Sequence, residues 1–221
     1  MKKGFDAILI LAGDIPRGHA AQAFDILISA EPRPLIAAAD GGASFLATRE
    51  LRPDILVGDN DSLEAGLAEA MRAAGTQVVD YPQHKDFSDA EAAWRLLVEK
   101  GCKRIAIFGA DGGRIDHTMG NLLLPMLHPE VQAIFFGADY RAAICYNFFT
   151  LRGHIGDTVS LMPLSSRITG ITLRGFEYPL DNYTLEIGCS RTLSNALSET
   201  EGSISLKQGA LLIIHYLNQQ H

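Results

Sequence analysis

The chain has 221 residues, 47% of them apolar and 20% charged, so it can bury real hydrophobic cores and is not a disordered segment. Its formal net charge of −7, with no Lys/Arg-rich run, argues against a nucleic-acid partner. Cys102, Cys145 and Cys189 lie far apart, with neither metal-ligand nor redox spacing, which suits a reducing compartment, the cytoplasm.

Lys2 and Lys3 ahead of the apolar run 7–12 mimic a signal peptide. The run stops at Gly13-Asp14, too short for a secretory core or a membrane span, and is expected to be a first buried strand. Further short apolar runs follow at 35–39, 55–57, 76–79, 105–108 and 133–136, the first strand being 8–11. Helical patterning lies between them at 20–30, 63–74 and 90–100. Buried runs alternating with helices predict a three-layer α/β domain with a mostly parallel sheet. Ser88-Asp89-Ala90-Glu91 fits a capping box and Gly101 closes the same helix, which puts Lys85-Asp86 in the loop just before a helix N-terminus.

The last third changes character. Glycines at 153, 156, 170, 175, 188, 202 and 209 punctuate β-prone stretches such as 158–162, 168–173, 203–206 and 210–215, with no helix of useful length. This predicts an antiparallel β-sandwich. The expected domains are 1–145 and 146–221.

The aspartates carry the chemistry. Asp40, the pair Asp59 and Asp61, the pair Asp86 and Asp89, and the pair Asp111 and Asp116 each follow a predicted strand. Ligands of an open parallel sheet bind outside the carboxyl ends of its strands, so these acids share one edge. Crowded carboxylates stay ionised when a cation joins them, and hard oxygen donors select Mg²⁺, Mn²⁺ or Ca²⁺. Gly58-Asp59-Asn60-Asp61-Ser62, with two carboxylates directly after a buried strand, suits a metal better than a helix cap.

Gly41-Gly42 and Gly112-Gly113 let backbone N–H groups approach a phosphate closely. Neither segment is a Walker A loop, and the dinucleotide fingerprint is absent. Arg114 offers a planar fork for phosphate, or a local pair with Asp116 that orders the loop. His117 stands at a helix start. Ser62 and Ser88 lack a nucleophile-elbow context, and histidines and cysteines do not cluster as zinc ligands.

Taken in order, Ala39-Asp40-Gly41-Gly42, Gly58-Asp59-Asn60-Asp61-Ser62, Lys85-Asp86-Phe87-Ser88-Asp89 and Gly112-Gly113-Arg114-Ile115-Asp116-His117 resemble thiamine pyrophosphokinase of the bacterial type. Asn121-Leu122-Leu123, Gly175-Phe176-Glu177-Tyr178-Pro179-Leu180 and Ser194-Asn195 extend the resemblance over nearly the whole chain. The resemblance implies an α/β catalytic domain followed by a β-sandwich, a homodimer with active sites between subunits, and the reaction of thiamine with ATP to give thiamine diphosphate and AMP. It implies that Asp59, Asp61 and Asp86 gather Mg²⁺. Asp40, Gly41, Gly42, Lys85, Asp89, Gly112, Gly113, Arg114, Asp116 and His117 would surround the nucleotide and the reacting phosphates. Ser194 and Asn195 would meet the thiamine pyrimidine. Eukaryotic members place a tryptophan on thiamine; the one tryptophan here, Trp94, falls in a first-domain helix, which leaves Tyr178 as the aromatic candidate. Asp86 or Asp116 would orient or deprotonate the attacking hydroxyl. A Mg-dependent nucleotide phosphohydrolase and a non-catalytic nucleotide or thiamine sensor remain the rival readings.

Overall fold

A computed structural model describes residues 4–14, 16–58, 66–82 and 84–217. They form two compact units, divided between Ala138 and Asp139.

The first unit opens with β1 (Ala7–Ile10) and α1 (Gly18–Ile28), then β2 (Leu35–Ala39), α2 (Gly42–Thr48), β3 (Ile55–Gly58), α3 (Leu67–Ala73), β4 (Gln77–Asp80), α4 (Asp89–Glu99), β5 (Arg104–Phe108) and α5 (Ile115–Leu123). A 3₁₀ turn (Leu124–Leu127) and β6 (Gln132–Phe136) close it. The strands lie in the order β6-β5-β1-β2-β3-β4, all parallel. Successive strands step outward from β1 to β4, and the chain then returns to place β5 on the other side of β1. The topological switch point therefore lies between the carboxyl ends of β1 and β5.

The continuous apolar runs of β1, β2, β3 and β5 are explained by burial on both faces of the sheet, whereas the edge strand β4, expected as a buried run, is only half-buried to exposed and β6 alternates. On one face Ile8, Ile10, Ile36, Ala38, Leu56, Ala106 and Phe108 pack with Phe24 of α1, Phe45 and Leu46 of α2 and Met71 of α3. Edge-to-face contacts of Phe24 with Phe45 and Phe108 tie this layer together. The strand residues between them, Leu9, Ala37, Val57 and Ile107, point to the opposite face, where α4 packs on β1, β2 and β3 with Trp94 fully buried. Trp94 is thus a core residue, as its helical position suggested. Ser88 caps α4 by accepting from the Glu91 N–H at 3.2 Å. Glu91 turns its carboxylate to Arg95, which donates to it at 2.9 and 2.8 Å.

The second unit contains β7 (Tyr140–Cys145), β8 (Phe148–Arg152), β9 (Thr158–Pro163), β10 (Arg167–Arg174), β11 (Leu180–Glu186), β12 (Asn195–Ala196), β13 (Glu201–Ser205) and β14 (Leu211–Tyr216). Strands β12-β9-β14-β7 pair antiparallel in one layer and β11-β10-β13-β8 in another. Leu161, Leu211 and Ile213 of the first layer and Ile171, Leu173, Leu185 and Ile204 of the second share one core. The unit begins earlier than the expected 146: β7, expected inside 1–145, is a sandwich strand, because all six of its residues pair with β14.

Candidate functional site

The site is built at the switch point. Leu11, Ala12 and Gly13 leave β1 and run beside the segment that leaves β5. The Leu11 N–H donates to the Phe108 carbonyl at 2.9 Å, Gly13 to Gly109 at 3.0 Å and Asp14 to Asp111 at 2.6 Å. The two segments are so close that a Cβ on Gly13 would sit 2.0 Å from the Asp111 carbonyl oxygen and 2.3 Å from that of Gly109. Glycine is required there by space, not by backbone conformation.

These segments border a cleft of about 640 Å³ within the first unit. Asp40, Asp89, Asp111, Gly112, Gly113, Arg114, Asp116 and His117 all line it. Asp40 follows β2 in the left-handed region, φ 47°, with its N–H donating to the Val57 carbonyl and its own carbonyl accepting from Ala43. Gly41 and Gly42 begin α2 beneath it; a Cβ on Gly42 would meet the Ile10 carbonyl oxygen at 2.4 Å. Gly113 has open space around it, which leaves that part of the loop free to meet a ligand.

Charge is arranged in pairs around the cleft. Arg114 donates to both carboxylate oxygens of Asp116, at 3.2 and 2.6 Å, and both side chains are exposed. The guanidinium hydrogen bonds hold the Asp116 carboxyl down at about 2, so it is ionised at neutral pH. Lys85 donates to Asp89 at 2.7 Å, lies over the Tyr81 ring and has an almost fully buried side chain. Asp86, in the same loop, is exposed and does not line the cleft.

The proposed metal ligands Asp59 and Asp61 lie outside the described residues. Among the described residues no group of three or more His, Cys, Asp or Glu side chains is gathered as for a metal. Gly58, which leads into Asp59, nonetheless lies against this edge: a Cβ on it would be 3.5 Å from the Asp40 Cα and 3.6 Å from Asp89 Oδ1. The donors around the cleft are carboxylate oxygens, which fit Mg²⁺ in kind.

The second unit holds the other expected residues. Tyr178 is 56% exposed, a ring available for stacking. Ser194 is exposed with φ 54°, and its N–H donates to the Ser160 hydroxyl at 3.0 Å. Asn195 differs: its side chain is turned inward and buried. Its Oδ1 accepts from the N–H groups of Tyr178 at 3.0 Å and Ala196 at 2.8 Å, and its Nδ2 donates to the Tyr178 carbonyl at 2.8 Å. The amide therefore clamps the Tyr178 backbone. Asn195→Ala is expected to destabilise the chain by roughly 1–3 kcal/mol, the cost of leaving buried partners unpaired. Denaturant titration checks this, and an unchanged midpoint would show that the clamp holds nothing.

Several cleft residues were not singled out from the sequence. Ala12 and Gly13 had a signal, the abrupt glycine stop of the first apolar run. Thr118 lines the cleft because α5 presents it, with no mark in the sequence, and Glu91, marked only as the end of a capping box, because α4 does. Asn121, noted only as part of the resemblance, lines it too and donates to the Ala110 carbonyl at 2.9 Å, bracing the loop after β5 from α5.

Residues 29–135 match the family model described as thiamin pyrophosphokinase, catalytic domain, and residues 149–211 that described as thiamin pyrophosphokinase, vitamin B1 binding domain. The thiamine pyrophosphokinase of Bacillus subtilis (strain 168) is 28% identical over 190 residues, 79% of this chain and 84% of that protein. The crystal structure of thiamin pyrophosphokinase from Geobacillus thermodenitrificans superposes with a TM-score of 0.81 at 27% identity, covering 97% of this chain and 98% of that one. That of the Bacillus subtilis enzyme gives 0.83 at 24% identity over 96% and 99%, a likeness of fold.

Proposed function

This chain belongs to the thiamine pyrophosphokinase family, and from that premise we propose that it transfers the pyrophosphoryl group of ATP to the hydroxyl of thiamine, giving thiamine diphosphate and AMP. The observation that carries the reading is the glycine- and aspartate-lined cleft at the switch point of the first unit.

In this reading the cleft takes the nucleotide. Backbone N–H groups at Gly112 and Gly113 approach the phosphate oxygens, and Arg114 and His117 supply donors to them, while Gly41, Gly42 and Lys85, which do not line the cleft, support its walls. Arg114 is held by Asp116, so it waits in place rather than being ordered by the substrate, and Lys85 is held by Asp89. Asp59, Asp61 and Asp86 would hold Mg²⁺, which when bound neutralises phosphate charge and orients the phosphates. The thiamine hydroxyl oxygen forms a bond to the β-phosphorus as the bond from that phosphorus to the oxygen it shares with the α-phosphorus breaks. The electron pair leaves on AMP, and the hydroxyl proton passes to a carboxylate and then to solvent. Asp116, kept ionised by Arg114, lines the cleft and orients the guanidinium there.

The second unit recognises thiamine through Ser194 and the Tyr178 ring, with Asn195 positioning Tyr178 from beneath. A homodimer and a cytoplasmic location go with this reading; among the described residues no helix is long and apolar enough to cross a membrane. Incubation with ATP and Mg²⁺, with and without thiamine, tests it. AMP is expected only when thiamine is present. Phosphate release without thiamine would favour a phosphohydrolase, and no turnover with either would favour a sensor.

A further inference from the structure

One buried polar pair lies apart from the cleft. His215 of β14 and Asp157, in the turn between β8 and β9, are both buried, with His215 Nε2 and Asp157 Oδ2 2.9 Å apart. The same carboxylate oxygen accepts from the His154 N–H at 2.9 Å. Gly153 makes room for the pair: a Cβ there would lie 2.4 Å from Asp157 Oδ2 and 2.7 Å from the His215 ring. A carboxylate this far from water is costly unless its oxygens are hydrogen-bonded, and an apolar pair would have met a need for packing alone.

Asp157 also faces the other way through its main chain. Its carbonyl accepts from the Leu197 N–H at 3.0 Å, and the Gly156 N–H donates to the Leu197 carbonyl at 2.8 Å. Next along the chain, Thr158 and Val159 form the two-residue pairing with Ala196 and Asn195 that defines β12. Asn195 in turn clamps Tyr178, and Ser194 hangs from Ser160 of β9. A pairing of two residues fixes register weakly by itself. Thr192, bonded in both directions to Leu161 of β9, and a bridge between Phe176 and Leu197 flank it. The side chain of Asp157 adds a tie from the turn that holds residues 195–197 to the long central strand β14, which pairs along its length with β7 and β9.

We propose that Asp157 and His215 are positioning residues for the acceptor substrate: a buried latch that fixes the segment bearing Ser194 and Asn195, and through Asn195 the backbone of Tyr178, without touching thiamine. The proposal rests on the reading that this segment recognises thiamine. Burial lowers the proton affinity of His215, partly offset by the Asp157 hydrogen bond, with Arg141 and His154 as the other charged or titratable neighbours. A neutral imidazole donating Nε2–H to the carboxylate is consistent with the geometry.

The test is steady-state kinetics of the full chain with thiamine and ATP varied separately. His215→Phe removes the donor while keeping a planar ring. It is expected to raise KM for thiamine about tenfold while leaving KM for ATP within about twofold. His215→Gln, which returns an N–H donor to the site, is expected to bring KM for thiamine most of the way back. Gly153→Ala, which pushes into the pair from the opposite side, is expected to reproduce the selective rise and stands in if His215→Phe does not fold. An unchanged KM for thiamine in folded His215→Phe or Gly153→Ala overturns the latch, as do equal rises for both substrates. Ser194→Ala separates the two levels. If it raises KM for thiamine while the latch variants do not, the latch alone fails. If it too leaves KM for thiamine unchanged, the assignment of thiamine recognition to this segment fails and takes the latch with it.

Discussion

Asp59→Asn and Asp61→Asn are each expected to lower turnover by roughly 100-fold or more while the fold persists. Each replacement removes one negative charge and one hard oxygen donor where the chain leaves β3, the strand end that lies against Asp40 and Asp89. Mg²⁺ binding then weakens, and the charge on the transferred phosphates goes uncompensated in the transition state. The loss should fall mainly on turnover at fixed Mg²⁺ and be relieved in part by raising Mg²⁺. Circular dichroism alongside the kinetics separates this from unfolding. Wild-type turnover at saturating Mg²⁺ in both variants would remove these residues from the metal site.

The second large effect is expected at Gly13. A methyl group there must displace two backbone carbonyls, at Gly109 and Asp111, that themselves accept hydrogen bonds from Gly13 and Asp14. Neither carbonyl can swing away as a side chain would. Gly13→Ala should therefore cost about 3 kcal/mol or more, at the upper end of overpacking in a tight core. The same displacement reshapes the floor of the cleft, so ATP affinity should fall with stability. Gly113→Ala is the control: open space surrounds that position, and its stability should change by about 0.5 kcal/mol or less. Denaturant midpoints and nucleotide titrations on both variants check the contrast. Equal stability of the two would show that the β1 and β5 loops do not approach as closely as described.

The parallel half of the fold was legible because burial on both faces writes itself into the sequence as unbroken apolar runs, as at 55–57 and 105–108. Asp40 and Asp111 were legible for a related reason, since each stands just past such a run, whereas Asp89 and Asp116 come with the first turns of α4 and α5. The sandwich was less so. Strand β11 buries only Leu180 and Leu185 of its seven residues, and β8 only Leu151, too few to mark a strand by alternation. Residues 140–145 carry no local mark of a strand, and only the partner strand β14, some seventy residues later, assigns them to the second unit. Asn195 shows a different limit. Its place in a motif marked it for attention, but the inward turn of its amide onto Tyr178 is a matter of rotamer and surroundings. The Asp157–His215 pair joins residues 58 apart with no local signature.

Transfer of an intact pyrophosphoryl group is the central claim, and its most direct test is a single turnover with ATP labelled in the β-phosphorus. The unmodified chain is mixed with labelled ATP, Mg²⁺ and thiamine, and the products are separated. The account predicts that all transferred label appears in thiamine diphosphate, with one unlabelled AMP formed for each. Label recovered in inorganic phosphate, pyrophosphate or ADP, with thiamine left unmodified, would contradict it.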